Sequence, residues 1–248
     1  LRGPIQAILL ALMLHRRKED CLDLPPKQRQ LRPVTLSDAE GQGFQHRLQL
    51  KVEDYRRRAA AGLVRRDAEA LAVLTALRQI GAEYKLPSAQ ALLEPLLEQG
   101  ESVVVFTAFV AAAELLQQRL GGALLTGRLP ASERQGVVDR FQSGCESLLI
   151  STYGVGGLGF TMHRARHVLL LERPWTPGDA EQAEDRCHRI GMQSALQCYW
   201  LQLGVADQLV DGLIADKAER IALLLNRGTQ QLRRQALPKM VQELLDRW

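Results

Sequence analysis

The sequence predicts an α/β protein in which a parallel sheet is covered by helices on both faces. Three observations carry this prediction. Short aliphatic, partly β-branched runs recur at 102–107, 123–125, 147–152, 167–172 and 196–203, the continuous apolar kind that suits strands buried on both sides. Helical patterns of ten or more residues separate them, at 110–120 and 131–141 and in a segment that opens at Thr176. Helices of that length can cross from one parallel strand to the next. Glycines supply the punctuation, with Gly100 and the pair Gly121-Gly122 at the ends of predicted helices.

Taken in order, residues 4–19 read as a helix ending in the basic run His15-Arg16-Arg17-Lys18. "DLPPK" (23–27) breaks it, and "LRPVTLS" (31–37) reads as extended. From Asp38 to about Ile80 the pattern is helical, with arginine clusters at 56–58 and 65–66; a solvated face accounts for these clusters more simply than a DNA contact. A further helix is predicted over about 88–99, a long amphipathic helix over 206–225, and a helix-like tail over 229–248. There is no internal repeat and no low-complexity segment.

The 248 residues can bury a substantial core, and the composition is that of an ordinary globular protein. The net charge is +4, and the basic residues comprise 26 Arg and 6 Lys. Arginine is the better residue for bidentate phosphate contacts, so the balance leans toward nucleic acid. Cys21, Cys145, Cys187 and Cys198 form no Cys-x-x-Cys pair, so neither a disulfide framework nor a metal site is expected. Cys187 and His188 are adjacent, would point to different faces of a helix, and could not share a metal. No apolar run reaches membrane-spanning length, and "IQAILLALML" (5–14) lacks the cationic leader and cleavage site of a signal peptide. The abrupt start inside a helix suggests a piece of something longer.

The stretch 176–192, "TPGDAEQAEDRCHRIGM", carries the sharpest chemical pattern. Thr176 can cap a helix, Pro177 suits its first position and Asp179 favours its positive end. Read as one helix over 178–190, it places Gln182, Arg186 and Arg189 on one stripe and Ala183, Cys187 and Ile190 on a second. Two fixed guanidiniums suit a multiply charged anion, a triphosphate foremost. From spacing alone, a surface helix with solvated charges explains the stripe as well. Two other patterns are decoys. "GVGGLG" (154–159) matches a dinucleotide fingerprint, but the next strand begins near His167 and leaves no room for the helix that fingerprint must open. "GRLPASER" (127–134) has no lysine followed by Ser or Thr and is no P-loop.

Together, "STYGVGGLGFTMHRARHVLLLERPWTPGDAEQAEDRCHRIGM" (151–192) resembles motifs five and six of the Swi/Snf family of DNA-dependent ATPases, in helicase superfamily two. A Gly-Gly-x-Gly loop follows a strand, the next strand ends near Trp-x-Pro, and Gln-Ala-x-x-Arg-x-x-Arg-Ile-Gly comes after it. "VVVFTAF" (103–109) resembles motif four, "LTGRLPASERQGVVDRF" (125–141) the segment between motifs four and five, and "LMLHRRKEDCLDLPPK" (12–27) the element leading into the second lobe. Three positions depart from the family pattern: Met192 stands where Gln is usual, His15 replaces the first of an Arg-Arg pair, and Thr161 occupies a position commonly Asn.

The resemblance implies a RecA-like parallel sheet with helices on both faces, a helical insertion and a C-terminal helical tail. It divides the chain into a lead-in helix and linker (1–37), a helical protrusion (38–84), a helicase C-terminal lobe (85–228) and a helical brace (229–248). Arg186 and Arg189 would be arginine fingers, with Gln182, Gly156, Gly157 and Gly159 at an inter-lobe ATP cleft. Thr107, Gly127, Arg128, Thr152 and Trp175 would lie near a double-stranded DNA track. Trp175 could equally be packing at a strand end, and Arg128 a solvated loop residue. ATP and Mg2+ would be held mainly by an N-terminal lobe of the same polypeptide, and this chain alone would hydrolyse no ATP. The arginine-rich composition and short insertion lean toward a bacterial source, hence the cytoplasm or nucleoid; a eukaryotic protein would be nuclear. A non-catalytic DNA- or protein-binding module, and an RNA or strand-separating helicase lobe, are the alternatives.

Overall fold

The computed structural model describes residues 18–64, 69–156 and 159–204, together with Leu12, Asp207, Gln208, Asp211 and Gly212. Most of the lead-in helix predicted over 4–19, the arginine pair 65–66, most of the helix predicted over 206–225 and the tail 229–248 lie outside the described residues.

Six strands form one sheet, with every pairing parallel. They are β1 (Lys27–Val34), β2 (Val103–Thr107), β3 (Ala123–Leu125), β4 (Leu148–Thr152), β5 (His167–Leu170) and β6 (Leu196–Leu203), in the order β1-β6-β5-β2-β4-β3. The helices are α1 (Lys18–Cys21), α2 (Asp38–Ala60), α3 (Glu69–Glu98), α4 (Val110–Leu120), α5 (Ala131–Ser143), α6 (Tyr153–Gly156) and α7 (Pro177–Glu184).

Strand alternation divides the core into two layers. Val103, Val105, Ile150, Leu169 and Leu201 face one way, onto buried residues of α2, α3 and α4. Val104, Phe106, Leu149, Val168 and Cys198 face the other, onto Val137, Val138 and Phe141 of α5 and Ala180 and Ala183 of α7. Continuous apolar runs such as 103–107 are therefore needed, because each strand must satisfy two apolar layers at once. The predicted architecture of a parallel sheet covered on both faces is the observed one.

Two elements differ in extent from the sequence reading. β1 begins at Lys27 rather than near Leu31, because it pairs along the whole of β6, Lys27 opposite Leu196 and Val34 opposite Leu203. As an edge strand it tolerates Pro33, which lacks a backbone donor. The helical pattern read over 38–80 and the helix read over about 88–99 divide differently: α2 ends at Ala60, and α3 runs unbroken from Glu69 to Glu98 through Pro87 and Pro95. An interior proline costs a helix about 3 kcal/mol. Here the burial of Leu86, Ala89 and Leu93 against the sheet offsets that cost. α2 begins as its sequence suggests: Glu40 accepts from the Ser37 amide at 2.9 Å, and the Ser37 hydroxyl accepts from the Glu40 amide. It packs on α3 through Phe44, which meets Tyr84 edge to face at 5.5 Å.

The turn after α4 requires glycine. Gly122 has φ +84°, and a Cβ there would lie 2.7 Å from the Leu148 carbonyl oxygen.

The four thiols divide by burial, Cys21 and Cys145 exposed, Cys187 and Cys198 buried. Burial pushes the Cys187 thiol well up and the Cys198 thiol up to about 12, leaving almost no thiolate near neutrality. A thiol-reactive chromogenic disulfide at pH 8 should therefore titrate two cysteines rapidly in the native chain and all four after denaturation. Four fast thiols in the native state would contradict this packing.

Candidate functional site

In parallel α/β sheets, ligands gather at the carboxyl ends of the strands, and the residues singled out by sequence cluster at that end. Thr107 and Thr152 are the last residues of β2 and β4, Gly127 and Arg128 lie in the loop after β3, and Trp175 lies in the loop after β5. They differ sharply in exposure. Gly127 and Arg128 are exposed, and Arg128 pairs with Glu114 at 2.5 Å. Trp175 is half-buried, packed against the core, with the Arg78 guanidinium 4.4 Å from its ring centre. Thr107 and Thr152 are buried. The Thr107 hydroxyl donates to Glu172 Oε1 at 2.8 Å, so it faces inward and not toward solvent.

Behind these loops lies a buried polar network. Glu172 Oε1 also accepts from the Ala108 amide, while its Oε2 is buried without a hydrogen-bond partner. Burial raises the Glu172 pKa, against the opposing pull of the Ala108 amide and Lys85. Lys85, itself buried, donates to the Leu171 carbonyl at 2.9 Å and pairs with Asp207 at 2.5 Å. Arg173 donates to the Leu201 carbonyl and pairs with Asp211. Arg78 donates to the Arg173 carbonyl at 2.5 Å, and the Tyr153 hydroxyl donates to the Glu172 carbonyl at 2.5 Å. The loops after β2, β4 and β5 are thus tied to α3 and to one another.

The segment bearing the arginines begins as predicted. The Thr176 hydroxyl accepts from the Asp179 amide at 3.2 Å, and Pro177 occupies the first turn. The single helix expected over 178–190 is not formed. α7 ends at Glu184, and the chain continues in tight turns, with the Arg186 amide donating to Ala183 O and the Cys187 amide to Glu184 O. The turns bring Cys187 into the core, and the Arg186 carbonyl accepts from the Met162 amide at 2.8 Å. Arg186 and Arg189 are therefore placed by turns and by contacts with the 159–165 loop, not by a helical stripe. Met192 is buried among apolar side chains of the α5 and α7 layer.

Arg189 is held on two sides. Its Nε donates to the Asp185 carbonyl at 3.1 Å and its Nη1 to Thr161 Oγ1 at 3.0 Å. Arg186 lies close enough that, after burial, the Arg189 charge is the next cause lowering its pKa, against a smaller opposing effect of Asp185. Two cations brought together in this way gain from an arriving anion. Gln182 is exposed on α7, and Ile190 stands beside Arg189 with 72% of its surface open. Gly156 ends α6, Gly159 has φ +96°, and Gly157 lies outside the described residues. Among the described residues no group of three or more His, Cys, Asp or Glu is arranged to hold a metal ion.

The sequence reading passed over Lys85, Glu172, Arg173 and Glu184, and treated Thr161 only as a departure from a pattern. Glu172 and Arg173 did carry a signal, a charged pair directly abutting the apolar run 168–171. Glu184, wholly buried, accepts from Arg29 at 2.6–3.0 Å and from Trp200 Nε1 at 2.9 Å, and pairs with Lys27 at 3.0 Å. These partners lie on β1 and β6, remote in sequence, and no local pattern could have shown them.

Residues 85–191 match the family model described as helicase conserved C-terminal domain. The chain is 27% identical over 241 residues to the bovine (Bos taurus) DNA annealing helicase and endonuclease ZRANB3, covering 93% of this chain and 22% of that protein. It is 29% identical over 148 residues to the mouse (Mus musculus) SWI/SNF-related matrix-associated actin-dependent regulator of chromatin subfamily A member 1, covering 56% of this chain and 14% of that protein. The chain thus spans under a quarter of the length of these curated relatives. Among solved structures, the Sulfolobus solfataricus SWI2/SNF2 ATPase core in complex with dsDNA superimposes with a TM-score of 0.60 at 22% identity, over 90% of this chain and 52% of that one. The domain model, the relatives and the all-parallel fold agree: residues 85–191 form a helicase conserved C-terminal domain, and the chain around it is similar to proteins of the Swi/Snf family.

Proposed function

We propose that this lobe is the second half of an ATP-dependent double-stranded DNA translocase or remodeller, and that Arg186 and Arg189 act as its arginine fingers. The observation that carries this reading is the prearranged pair of guanidiniums. Arg189 is fixed by Thr161 and the Asp185 carbonyl, with Arg186 close by on an adjoining turn. Phosphoryl transfer is catalysed largely by positioning and charge stabilisation, and an arginine finger is worth roughly 10³–10⁵ in turnover. In this reading the N-terminal lobe of the same polypeptide binds ATP and Mg2+. Closure of the two lobes then brings the arginines, Gln182 and the loop of Gly156, Gly157 and Gly159 to the phosphates. Exposed Ile190 would pack against that lobe on closure.

Supplying the fingers from a separate lobe makes hydrolysis conditional on closure, and a cycle of closing and opening can move the lobes along a backbone. Gly127, Arg128 and Trp175 are the proposed DNA-facing residues at the carboxyl end of the sheet. Thr107 and Thr152, being buried, would support those loops from behind. A mild positive charge rich in arginine suits contacts to phosphate.

Three outcomes test this reading. Residues 1–248 alone should show no DNA-stimulated ATP hydrolysis in a coupled phosphate-release assay; appreciable turnover would refute the two-lobe requirement. In the two-lobe polypeptide, Arg189→Ala should lower kcat by roughly 10³-fold or more while double-stranded DNA is still bound in a gel-shift assay. Near-normal turnover would remove the finger assignment. Binding to duplexes of unrelated sequence should be about equal and should weaken steeply between low and moderate salt, whereas salt-independent or strongly sequence-selective binding would argue against a backbone track.

A further inference from the structure

α7 ends against its own electrostatics. Glu184 and Asp185 stand at its carboxyl end, where the helix dipole is negative and cations are favoured, and the last turn holds no basic residue. The missing cations come from the lead-in segment, more than 150 residues away in sequence. Lys18 Nζ lies 3.0 Å from Asp185 Oδ2 and donates to the His188 carbonyl at 2.8 Å. Lys27 Nζ lies 3.4 Å from Asp185 Oδ1 and 3.0 Å from Glu184 Oε2. His188 Nε2 meets the Pro25 carbonyl at 2.7 Å, and the Leu196 amide donates to the Pro26 carbonyl. Segment 18–29 thus runs alongside 184–188 and contacts four of its side-chain and carbonyl groups.

This contact reaches the arginine pair by one step. Asp185 is clamped by two lysines through its carboxylate, and its backbone carbonyl is the acceptor for Arg189 Nε. We propose that Lys18 and Lys27 are positioning residues for the arginine pair, so that the segment leading into the lobe sets the geometry of Arg189 through Asp185. The proposal rests on the finger assignment above. Its physical content is that two carboxylates at a helix carboxyl end repel each other and the dipole. With the lysines present, the Asp185 turn has one favoured arrangement; without them it relaxes, and the Arg189 anchor moves. Movement of the lead-in segment during lobe closure would reach Arg189 by the same route, which makes this contact a means of coupling the linker to hydrolysis.

The test pairs a structural readout with a kinetic one. In residues 1–248, the Arg189 Nε–H signal in 1H–15N spectra should be protected from solvent exchange by its bond to Asp185. A Lys18→Gln/Lys27→Gln variant should lose that protection, while Lys27→Arg should keep it. In the two-lobe polypeptide the double variant should lower kcat about tenfold or more, the scale expected when a catalytic group shifts by a fraction of an ångström to an ångström. The KM for ATP and the DNA half-saturation should change less than about twofold, and Lys27→Arg should restore most of the turnover. Unchanged protection and unchanged kcat in the double variant would overturn the proposal. Lys18→Gln alone, at a half-exposed position away from the core, supplies the same readout should the double variant fold poorly. Arg189→Ala runs in parallel: if that variant keeps turnover, the finger assignment fails; if it is inactive while the lysine variants are normal, only the positioning role fails.

Discussion

Glu184 is the carboxylate on which the rest of the site depends. It is fully buried, yet it meets the Arg29 guanidinium, the Lys27 ammonium and the Trp200 indole N–H. Removing one member of a buried ion pair commonly costs about 3–5 kcal/mol, because the remaining charge is left in a low-dielectric setting. A group so placed can have only one arrangement, and Glu184 thereby pins the end of α7 to two neighbouring strands. The turns bearing Arg186 and Arg189 start from that pinned end. Their geometry is set by burial of Cys187 and by Thr161, the Met162 amide and Asp185, rather than by continuation of a helix.

A second buried polar group stands behind the loops at the carboxyl end of the sheet. Glu172, Lys85, Arg173 and Arg78 are all buried, and each binds backbone as well as side chains. Apolar residues of the same volume would pack there without the desolvation penalty that raises the Glu172 pKa and lowers that of Lys85. What the charges add is direction. Lys85 binds the Leu171 carbonyl, Tyr153 the Glu172 carbonyl and Arg78 the Arg173 carbonyl, so three successive peptide groups after β5 are each held by a named donor. Trp175, two residues on, takes its place beneath Arg78 from that constraint.

The two halves of the sheet accordingly have different work. The β2, β4 and β5 centre, with uniform apolar faces, supplies stability through the α4 and α5 layers. The β6 and β1 side, richer in glutamine and arginine, carries the polar contacts that locate α7 and the lead-in segment. A change in how the lead-in segment sits would be felt at α7 before it was felt in the core.

The sequence by itself determined the strands 123–125 and 196–203 and helix 110–120 to the residue, and the cap and first turn of α7. Each depends on short-range rules: two-layer apolar alternation, glycine at a positive-φ turn, an N-cap hydroxyl followed by proline. It also determined the motif order that resembles the Swi/Snf family, because each motif is a short run legible at fixed spacing. Only the tertiary structure decided that α7 stops at Glu184, that Thr107 faces Glu172, that α3 passes through two prolines, and that Lys18, Lys27 and Arg29 meet Glu184 and Asp185. The helical stripe of Gln182, Arg186 and Arg189 failed because periodicity counts residues as though nothing else pulled on the chain. A buried Cys187 and a carboxylate bound from another strand pulled harder. Contacts between residues 18–29 and 184–188 leave no local pattern, since an ion pair across the fold constrains the sum of charges and not their neighbours in sequence.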